Sequence, residues 1–489
     1  MSRSPHEILC EGNFPMNELR GDLVALSLIP PHDFSNVPIS ILPDELLCEI
    51  FSYEVAGPDD SQHGAIFKVN LQRAKAPFVI STVCQRWREA CCSRAKLWHY
   101  ILIPNRQPTE FMSAYLQLVF GRSRDASLDI IFGYVEEEWI EEYERQVFPL
   151  LVTQRHRWRR LVAEMEPEVA PNLLRLLCAP TARLRTIQLS VQQEQTHRGF
   201  RILDVDLEEV EASFDAVAFL PDAPSMYCVT MVNIAPVWKT WHAAIQPSLQ
   251  MLQVLQNVIP TSTLWALLRR HSQVKFVALH ATECPVTSAD EHHPGDICLP
   301  QLKKLWLRAG PAAMFMAHPT AVLMPTLRTL ILGRYSVAKL HAFFRHLHAT
   351  SSLRRLELRS ITLADSAVTA VAALERLEHV EIKNAFLTAA LFERLVQSDV
   401  GNVMWPRVRN LKLVATQVAT AATECGLQFA RMRRDPGPSS DEESGDPVLR
   451  WVRCQLDLPS RNSGFSDEQV QEIATIRREV KAIVTLELP

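Results

Sequence analysis

The sequence predicts an α/β protein in which a small helical region is followed by a long array of strand-and-helix units. Two observations support this fold class. Between residues 37 and 103, apolar residues recur at the spacing of short amphipathic helices. From residue 184 onward, an L-x-x-L-x-L pattern returns roughly every 25 residues, with helix-like stretches between its copies.

The first helix is predicted to begin behind Pro43, whose fixed φ suits a first turn. Asp44 and Glu45 then stand where the helix dipole favours acids. A second helix is predicted from the stripe Val79, Val83 and Trp87, and one further turn closes the region. A bundle of this size cannot bury all its apolar side chains, so it would gain from a protein partner.

Three short sequences in this region carry a resemblance to a known family. They are Leu42-Pro43-Asp44-Glu45-Leu46, Val83-Cys84-Gln85-Arg86-Trp87 and Leu97-Trp98, in that order. Together they resemble the F-box, in a stretched form similar to that of filamentous fungi, with an inserted loop at 55–77. The alternative is that these residues are ordinary core of a larger helical domain.

The resemblance covers 37–103 and implies three helices that bind a Skp-type adaptor. The residues that it implies for this contact are Leu42, Pro43, Leu46, Leu47, Ile50, Phe51, Val83, Cys84, Trp87, Leu97 and Trp98.

The repeated pattern predicts one short strand in each unit. Its copies begin at Leu184, Leu249, Val274, Leu302, Leu327, Leu353, Leu377 and Val408, with further matches at Met226 and Leu449 and weaker ones at Leu128 and Trp158. This period is typical of leucine-rich repeats, here without most of the asparagines that often follow the strand. It predicts a parallel-stacked α/β solenoid, with an ordinary α/β sheet as the alternative.

These patterns divide the chain into successive segments. They are an N-terminal extension (1–36), the F-box-like domain (37–103), a linker with the first degenerate repeats (104–183), the leucine-rich-repeat-like solenoid (184–434), a disordered acidic loop (435–447) and a C-terminal strand with a capping helix (448–489). Within the acidic loop, Ser439 and Ser440 each precede an acid by three residues, so both are candidate phosphorylation sites.

The third and fifth positions of each strand are predicted to face a common surface, because side chains alternate along a strand. This surface is the candidate target-binding face. Its apolar part comprises Met251, Phe276, Trp306 and Ile331, and its charged part comprises Arg355, Glu357, His379 and Glu381. The alternative is that a neighbouring loop at 310–325 covers Phe276 and Trp306 as plain core.

No sequence motif for catalysis, phosphate binding or zinc binding occurs, so no catalytic residue, cofactor or metal is expected. The nearest metal-like cluster, Cys284, His292, His293 and Cys298, matches no zinc module. The net charge of −4 indicates neither a nucleic-acid nor a membrane partner. The basic run at 155–160 is interpreted as a solvated face or loop edge rather than a phosphate-binding patch. Residues 1–20 lack a signal-peptide core, so the expected location is the cytoplasm, the nucleus or both.

The F-box resemblance implies a non-catalytic substrate receptor of an SCF-type cullin-RING ubiquitin ligase. The helices would bind the Skp-type adaptor and, through it, a cullin, while the repeats would bind an unknown target protein. The alternative is a repeat scaffold that binds the adaptor, or another protein, without forming a ligase. A hydrolase is a third possibility, for which the sequence offers no nucleophile and base.

Overall fold

The computed structural model describes residues 42–56, 70–104, 110–192, 220–234, 248–258, 261–284, 297–334, 340–360, 362–363, 365–387, 391, 393–394, 405, 407–408, 410–418 and 451–456. The predicted α/β class with parallel strands is confirmed in these residues. The chain divides into two compact units, Met1–Leu249 and Gln250–Pro489.

The described part of the first unit opens with three helices, α1 (Asp44–Ala56), α2 (Leu71–Val83) and α3 (Gln85–Ser93), followed by a 3-10 turn at Ala95–Trp98. The predicted inserted loop at 55–77 is too long, because 71–77 are helical. Asn70 starts α2, since its side-chain oxygen accepts a hydrogen bond of 3.0 Å from the backbone N–H of Arg73.

The prediction of one helix through Val79 and Trp87 was wrong, because the chain breaks at Cys84. There the backbone is extended, with φ −159° and ψ 171°. Ser81 and Thr82 hydroxyls donate to carbonyls three residues earlier, at 2.8 and 2.6 Å. Hydroxyl side chains that bond to the local backbone, together with the β-branched Thr82 and Val83, weaken a helix at this point.

Parallel strands that neighbour one another in chain order complete the first unit. The elements are β1 (Tyr100–Ile103), α4 (Glu110–Ser123), β2 (Leu128–Val135), α5 (Ile140–Glu142), α6 (Phe148–Thr153), β3 (Trp158–Met165), α7 (Ala170–Arg175), β4 (Thr186–Val191) and β5 (Cys228–Val232). Turns of 3-10 and π type precede and follow the short helices.

The predicted boundary at 103/104 does not separate two compact units. Ala74 of α2 packs in one apolar cluster with Tyr100 and Leu102 of β1, Ile131 of β2 and Val162 of β3. The N-terminal helices therefore share a core with the strands, because the outer face of β1 would otherwise expose apolar side chains.

The second unit repeats a strand and, in most cases, a helix. Its elements are β6 (Met251–Val258), α8 (Thr261–Arg270), β7 (Phe276–Glu283), β8 (Ile297–Cys298), β9 (Lys304–Ala309), α9 (Gly310–Ala317), β10 (Val322–Leu323), β11 (Thr329–Gly333), α10 (Leu340–Thr350), β12 (Arg355–Arg359), β13 (Thr362–Leu363), α11 (Asp365–Ala372), β14 (His379–Leu387), β15 (Asn410–Val418) and β16 (Trp451–Leu456). The parallel order is β6-β7-β9-β11-β12-β14-β15-β16, β13 pairs with β14, and β8 pairs with β10 in a small separate sheet.

Each main strand of this unit begins two residues after the first position of its L-x-x-L-x-L pattern. Leu302 precedes β9 and Leu327 precedes β11; both side chains are fully buried, and both lie in turns closed by backbone hydrogen bonds of 3.1–3.2 Å. The first leucine of the pattern thus fills the core beneath the strand. The alternation then buries the fourth and sixth positions, as predicted.

Positive φ occurs at the same place in four copies of the pattern, the residue directly after its seventh position. These residues are Ala309, Arg334, Ser360 and Asn384, with φ of 54°, 47°, 51° and 50°. Asparagine tolerates this region, whereas alanine, arginine and serine adopt it at a cost.

Ala309→Gly is expected to raise the free energy of unfolding by about 1 kcal/mol, because φ 54° with ψ −123° is a conformation that glycine adopts readily. Urea denaturation of the variant measures the change. Ala312→Gly in the interior of α9 is the matched control and should lower stability by about 1 kcal/mol. Equal losses in both variants would show that Ala309 is not strained.

Candidate functional site

The helices of the first unit expose an unusual number of apolar side chains. Leu46, Ile50 and Tyr53, which follow one another at i, i+4 and i+7 on α1, are 51%, 47% and 77% exposed. Val79 and Val83 on α2 are 53% and 40% exposed. Five of the eight large hydrophobic side chains that are exposed in the described residues therefore lie on two helices, which is typical of an interaction surface.

The other residues predicted to contact the adaptor are less accessible. Leu47, Phe51, Leu97 and Trp98 are almost completely buried, so in this structure they hold the helices together. Leu42, Cys84 and Trp87 are half-buried, while Pro43 is exposed. The ring of Trp87 lies 4.9 Å from that of Phe51, which ties α3 to α1.

Polar contacts fix the start of α1 on α3. The guanidinium of Arg86 forms an ion pair of 2.8 Å with Asp44 and donates a further hydrogen bond to the carbonyl oxygen of Leu42. Within the same helices, the thiol of Cys48 donates to the carbonyl oxygen of Ala90 at 3.7 Å. These contacts hold the exposed side chains of α1 in a defined orientation.

Cys91 is a packing residue in this structure. Its thiol is buried and donates to the carbonyl oxygen of Pro77 at 3.4 Å. Burial, followed by the neighbouring Cys92, raises the pKa of Cys91 to about 12, so the thiol is protonated at neutral pH. A protonated, buried thiol is a poor nucleophile.

A buried ionic network joins α2 to the strands. Asp129 of β2 is completely buried, and its carboxylate forms two hydrogen bonds of 2.7 and 2.5 Å with the guanidinium of Arg159 on β3. Arg73 of α2 and His99 each lie 3.8 Å from the same carboxylate, and Arg73 is 3.1 Å from the Nε2 of His99. Arg73 also stacks on the ring of Tyr100 at 4.5 Å.

Two arginines of the basic run at 155–160, which was predicted to be a solvated face or loop edge, bind acceptors within the protein. Arg159 pairs with Asp129, and Arg157 is buried and donates to the carbonyl oxygen of Ala126 at 3.0 Å and to Gln154 at 2.8 Å. These arginines satisfy internal acceptors, so they offer little to a phosphate ligand.

In the second unit, the strand register aligns the eight predicted target-binding residues in two adjacent rows on one face, the polar sheet face. The first row is Met251, Phe276, Lys304, Thr329, Arg355, His379 and Asn410. The second row is Gln253, Ala278, Trp306, Ile331, Glu357, Glu381 and Lys412.

The apolar part of this face is not the open patch that the sequence suggested. Phe276 is only 6% exposed, and the ammonium of Lys304 lies 4.9 Å from its ring centre. The guanidinium of Arg359 lies 5.2 Å from the ring centre of Trp306. Met251 and Ile331 are also buried. Cations on nearby strands, Lys304 on β9 and Arg359 on β12, cover the two aromatic rings through cation–π contacts.

The two glutamates of the polar sheet face lie beneath its cations. Glu357 is paired with Arg359 at 2.8 Å and with Lys383 at 3.0 Å. Glu381 is paired with Lys412 at 2.9 Å, Lys383 at 3.1 Å and Arg355 at 3.5 Å. Burial alone would raise the pKa of Glu381, but the hydrogen bonds and charges of Lys412 and Lys383 hold it below its ordinary value.

The sequence-based prediction missed a third row on the same face, which contains His280, Arg308, Gly333, Arg359 and Lys383. The predicted column ended at the fifth position of the pattern, whereas the strands continue through the seventh. The signal was present, since the seventh positions of three copies hold Arg308, Arg359 and Lys383.

Several other predicted features lie partly or wholly outside the described residues. His292, His293, Ser439, Ser440 and most of the C-terminal segment are among them. Within the described residues, no group of three or more His, Cys, Asp or Glu side chains could hold a metal ion. Burial raises the pKa of Cys284 to about 12. In the same part of the chain, none of the helices combines the length and apolar character needed to cross a membrane.

No protein-family model matches this chain. No curated protein matches it at a significant level.

Proposed function

We propose that the chain is the substrate-recognition subunit of an SCF-type cullin-RING ubiquitin ligase, with no catalytic role of its own. The observation that carries this proposal is the exposed apolar surface on α1 and α2, in the region that resembles the F-box. The helices would bind the Skp-type adaptor, and the second unit would bind the target. Catalysis would take place elsewhere in the complex, and this chain would supply proximity.

The exposed side chains can supply useful binding energy. Complete burial of one large aliphatic or aromatic side chain is worth about 1.5–3 kcal/mol. Leu46 and Ile50 are already half covered by their own helix, so a partner would gain roughly half of that from each. Such anchors, beside the Arg86 and Asp44 ion pair, would supply part of the binding energy of a protein complex.

The finer architecture belongs to the same proposal. We infer an F-box-like group of three helices joined to a leucine-rich-repeat-like solenoid. Its support is that the strands within each unit are parallel, follow one another in chain order and recur with the sequence pattern.

Co-purification tests the proposal. The wild-type chain should recover both the Skp-type adaptor and a cullin from cells in which all three are expressed. Leu46→Glu combined with Ile50→Glu should reduce adaptor recovery by more than tenfold, because two charges would be buried in an apolar contact. The variant should fold normally, since both side chains are half exposed in the free chain.

Val152→Glu is the matched control. Val152 is 38% exposed on α6 of the same unit, away from the F-box-like region, so its replacement should leave adaptor recovery unchanged. Recovery of the adaptor without the cullin would favour the alternative, an adaptor-bound scaffold that forms no ligase. Recovery of neither protein by the wild type would refute both.

A further inference from the structure

The cations of the second unit are concentrated on the polar sheet face. Its three rows, with the adjoining Arg334, contain seven lysines and arginines and two glutamates among the described side chains, a surplus of five positive charges. The cations are Lys304, Arg308, Arg334, Arg355, Arg359, Lys383 and Lys412. The chain as a whole has a net charge of −4, so this face departs strongly from the average.

The glutamates of this face are more deeply buried than its lysines and arginines. The side chains of Glu357 and Glu381 are 4% and 13% exposed, whereas those of Arg355, Arg359, Lys383 and Lys412 are between 32% and 51% exposed. A partner would therefore meet an almost purely cationic layer. Electrostatic attraction to such a layer favours a negatively charged partner.

Three arginines are grouped around Gly333 on this layer. Gly333 lies between Arg308 and Arg359 in the strand register, and a Cβ at Gly333 would stand 3.5 Å from the Cγ of Arg308 and 3.6 Å from the Cβ of Arg359. Arg334 follows directly and is exposed. These are ordinary van der Waals distances, so the side chain of Arg308 passes close to the backbone of Gly333.

Arg308 and Arg334 lack an ion-pair partner within the part of the chain that the structure describes. Arg359, by contrast, is bound to Glu357. These cations also repel one another. Burial, and then the charges of Arg334 and Arg359, lower the pKa of Arg308. Burial, and then the charges of Arg308 and Arg334, lower the pKa of His280 to about 4. An incoming anion would relieve this repulsion.

We propose that the polar sheet face binds an acidic segment of the target protein, one rich in Asp and Glu. This inference rests on the proposed target-binding role of the second unit. Strands lie about 4.8 Å apart, so the face from β9 to β15 is about 19 Å wide, the span of roughly six residues of an extended peptide. Carboxylates of such a segment would pair with Arg308 and Arg334.

The aromatic residues distinguish this ligand from a nucleic acid. Proteins that bind single strands combine a cationic groove with open aromatic rings on which bases stack. Here the rings of Phe276 and Trp306 are occupied by Lys304 and Arg359. The face therefore offers charge without a stacking platform, which suits carboxylates better than bases.

A peptide-binding assay with the purified full chain tests the inference. The probe is a fluorescein-labelled peptide of about eight residues in which Glu alternates with Ser, and the matched probe has Gln in place of Glu. Fluorescence anisotropy should report binding of the Glu peptide that weakens with added salt, and no binding of the Gln peptide. Arg308→Gln with Arg334→Gln should weaken the affinity about tenfold or more.

The control variant also loses two positive charges, but from helices rather than from the polar sheet face. Arg269→Gln with Arg345→Gln removes two exposed arginines from α8 and α10, and it should leave the affinity within about twofold, since distant surface charges are screened by salt. Equal weakening by both double variants, or equal binding of the Glu and Gln peptides, would overturn the proposal. Stronger binding of a single-stranded oligonucleotide of equal charge would also overturn it. The assay contains no adaptor, so its result is independent of the co-purification.

Discussion

Asp129→Ala is expected to lower the free energy of unfolding of the first unit by about 3–5 kcal/mol. The substitution removes the carboxylate that neutralises Arg159 and faces Arg73 and His99. Arg159 is partly exposed and can turn toward water, but the side chain of Arg73 is only 8% exposed and would remain charged in the interior. Urea denaturation of the variant beside the wild type measures the loss.

The same carboxylate makes stability depend on pH. Burial would raise the pKa of Asp129, but hydrogen bonds and charge from Arg159, with smaller contributions from His99 and Arg160, hold it below its ordinary value. A carboxyl whose pKa is lower in the folded state stabilises that state above the pKa of the unfolded chain, about 3.9. This stabilisation is lost as the pH falls through the folded pKa. The difference in free energy of unfolding between the wild type and Asp129→Ala should therefore become smaller at acidic pH.

A partly exposed ion pair of the same unit provides the control. Arg145 and Glu142 lie 3.7 Å apart, with side chains 71% and 26% exposed, so Glu142→Gln should change the free energy of unfolding by no more than about 1 kcal/mol. If Asp129→Ala were as mild as Glu142→Gln, the network would be a solvated surface feature, and the link between α2 and the strands would have to come from apolar packing alone.

The sequence was sufficient to predict the main strands from β4 onward, because apolar residues alternate within each copy of L-x-x-L-x-L and most copies recur at a similar interval. The short strands β1, β8, β10 and β13 carry no copy of the pattern and were not predicted. Leu302, Leu327 and Leu353 each precede a strand by the same interval. It was not sufficient for the Asp129 network. Arg73, His99, Asp129 and Arg159 belong to different elements, and their alignment depends on the register of β2 on β3 and on where α2 packs.

The helical region illustrates a second limit. Leu46, Ile50 and Tyr53 form one stripe of α1, and Leu47, Phe51 and Val55 form the stripe beside it. Both are apolar, so periodicity alone could not decide which of them faces the core. In the structure the second stripe is buried and the first is exposed. The contact of Phe51 with Trp87 orients α1 so that the second stripe faces the core. The exposed stripe is then the candidate contact surface, and the buried stripe supports it.

Trp98 is one of the buried residues that support the contact surface. Trp98→Ala is therefore expected to lower the free energy of unfolding by about 3–5 kcal/mol. Trp98 is 1% exposed, and its ring packs edge-on against Phe78 at 5.0 Å. Its Nε1–H donates to the carbonyl oxygen of Cys91 at 3.0 Å, and the guanidinium of Arg122 covers its face at 4.3 Å. Loss of the ring would leave a cavity beneath α2 and α3.

This variant should also lose adaptor binding, but for a different reason from Leu46→Glu with Ile50→Glu. Trp98→Ala would bind the adaptor poorly because its helices are unstable. Leu46→Glu with Ile50→Glu would bind it poorly although the stability of the chain is unchanged. Trp98→Phe keeps most of the packing and gives up the hydrogen bond to Cys91, so it should retain most of the stability and adaptor recovery. If Trp98→Ala abolished adaptor recovery without any loss of stability, Trp98 would contact the adaptor directly, as the F-box resemblance implied.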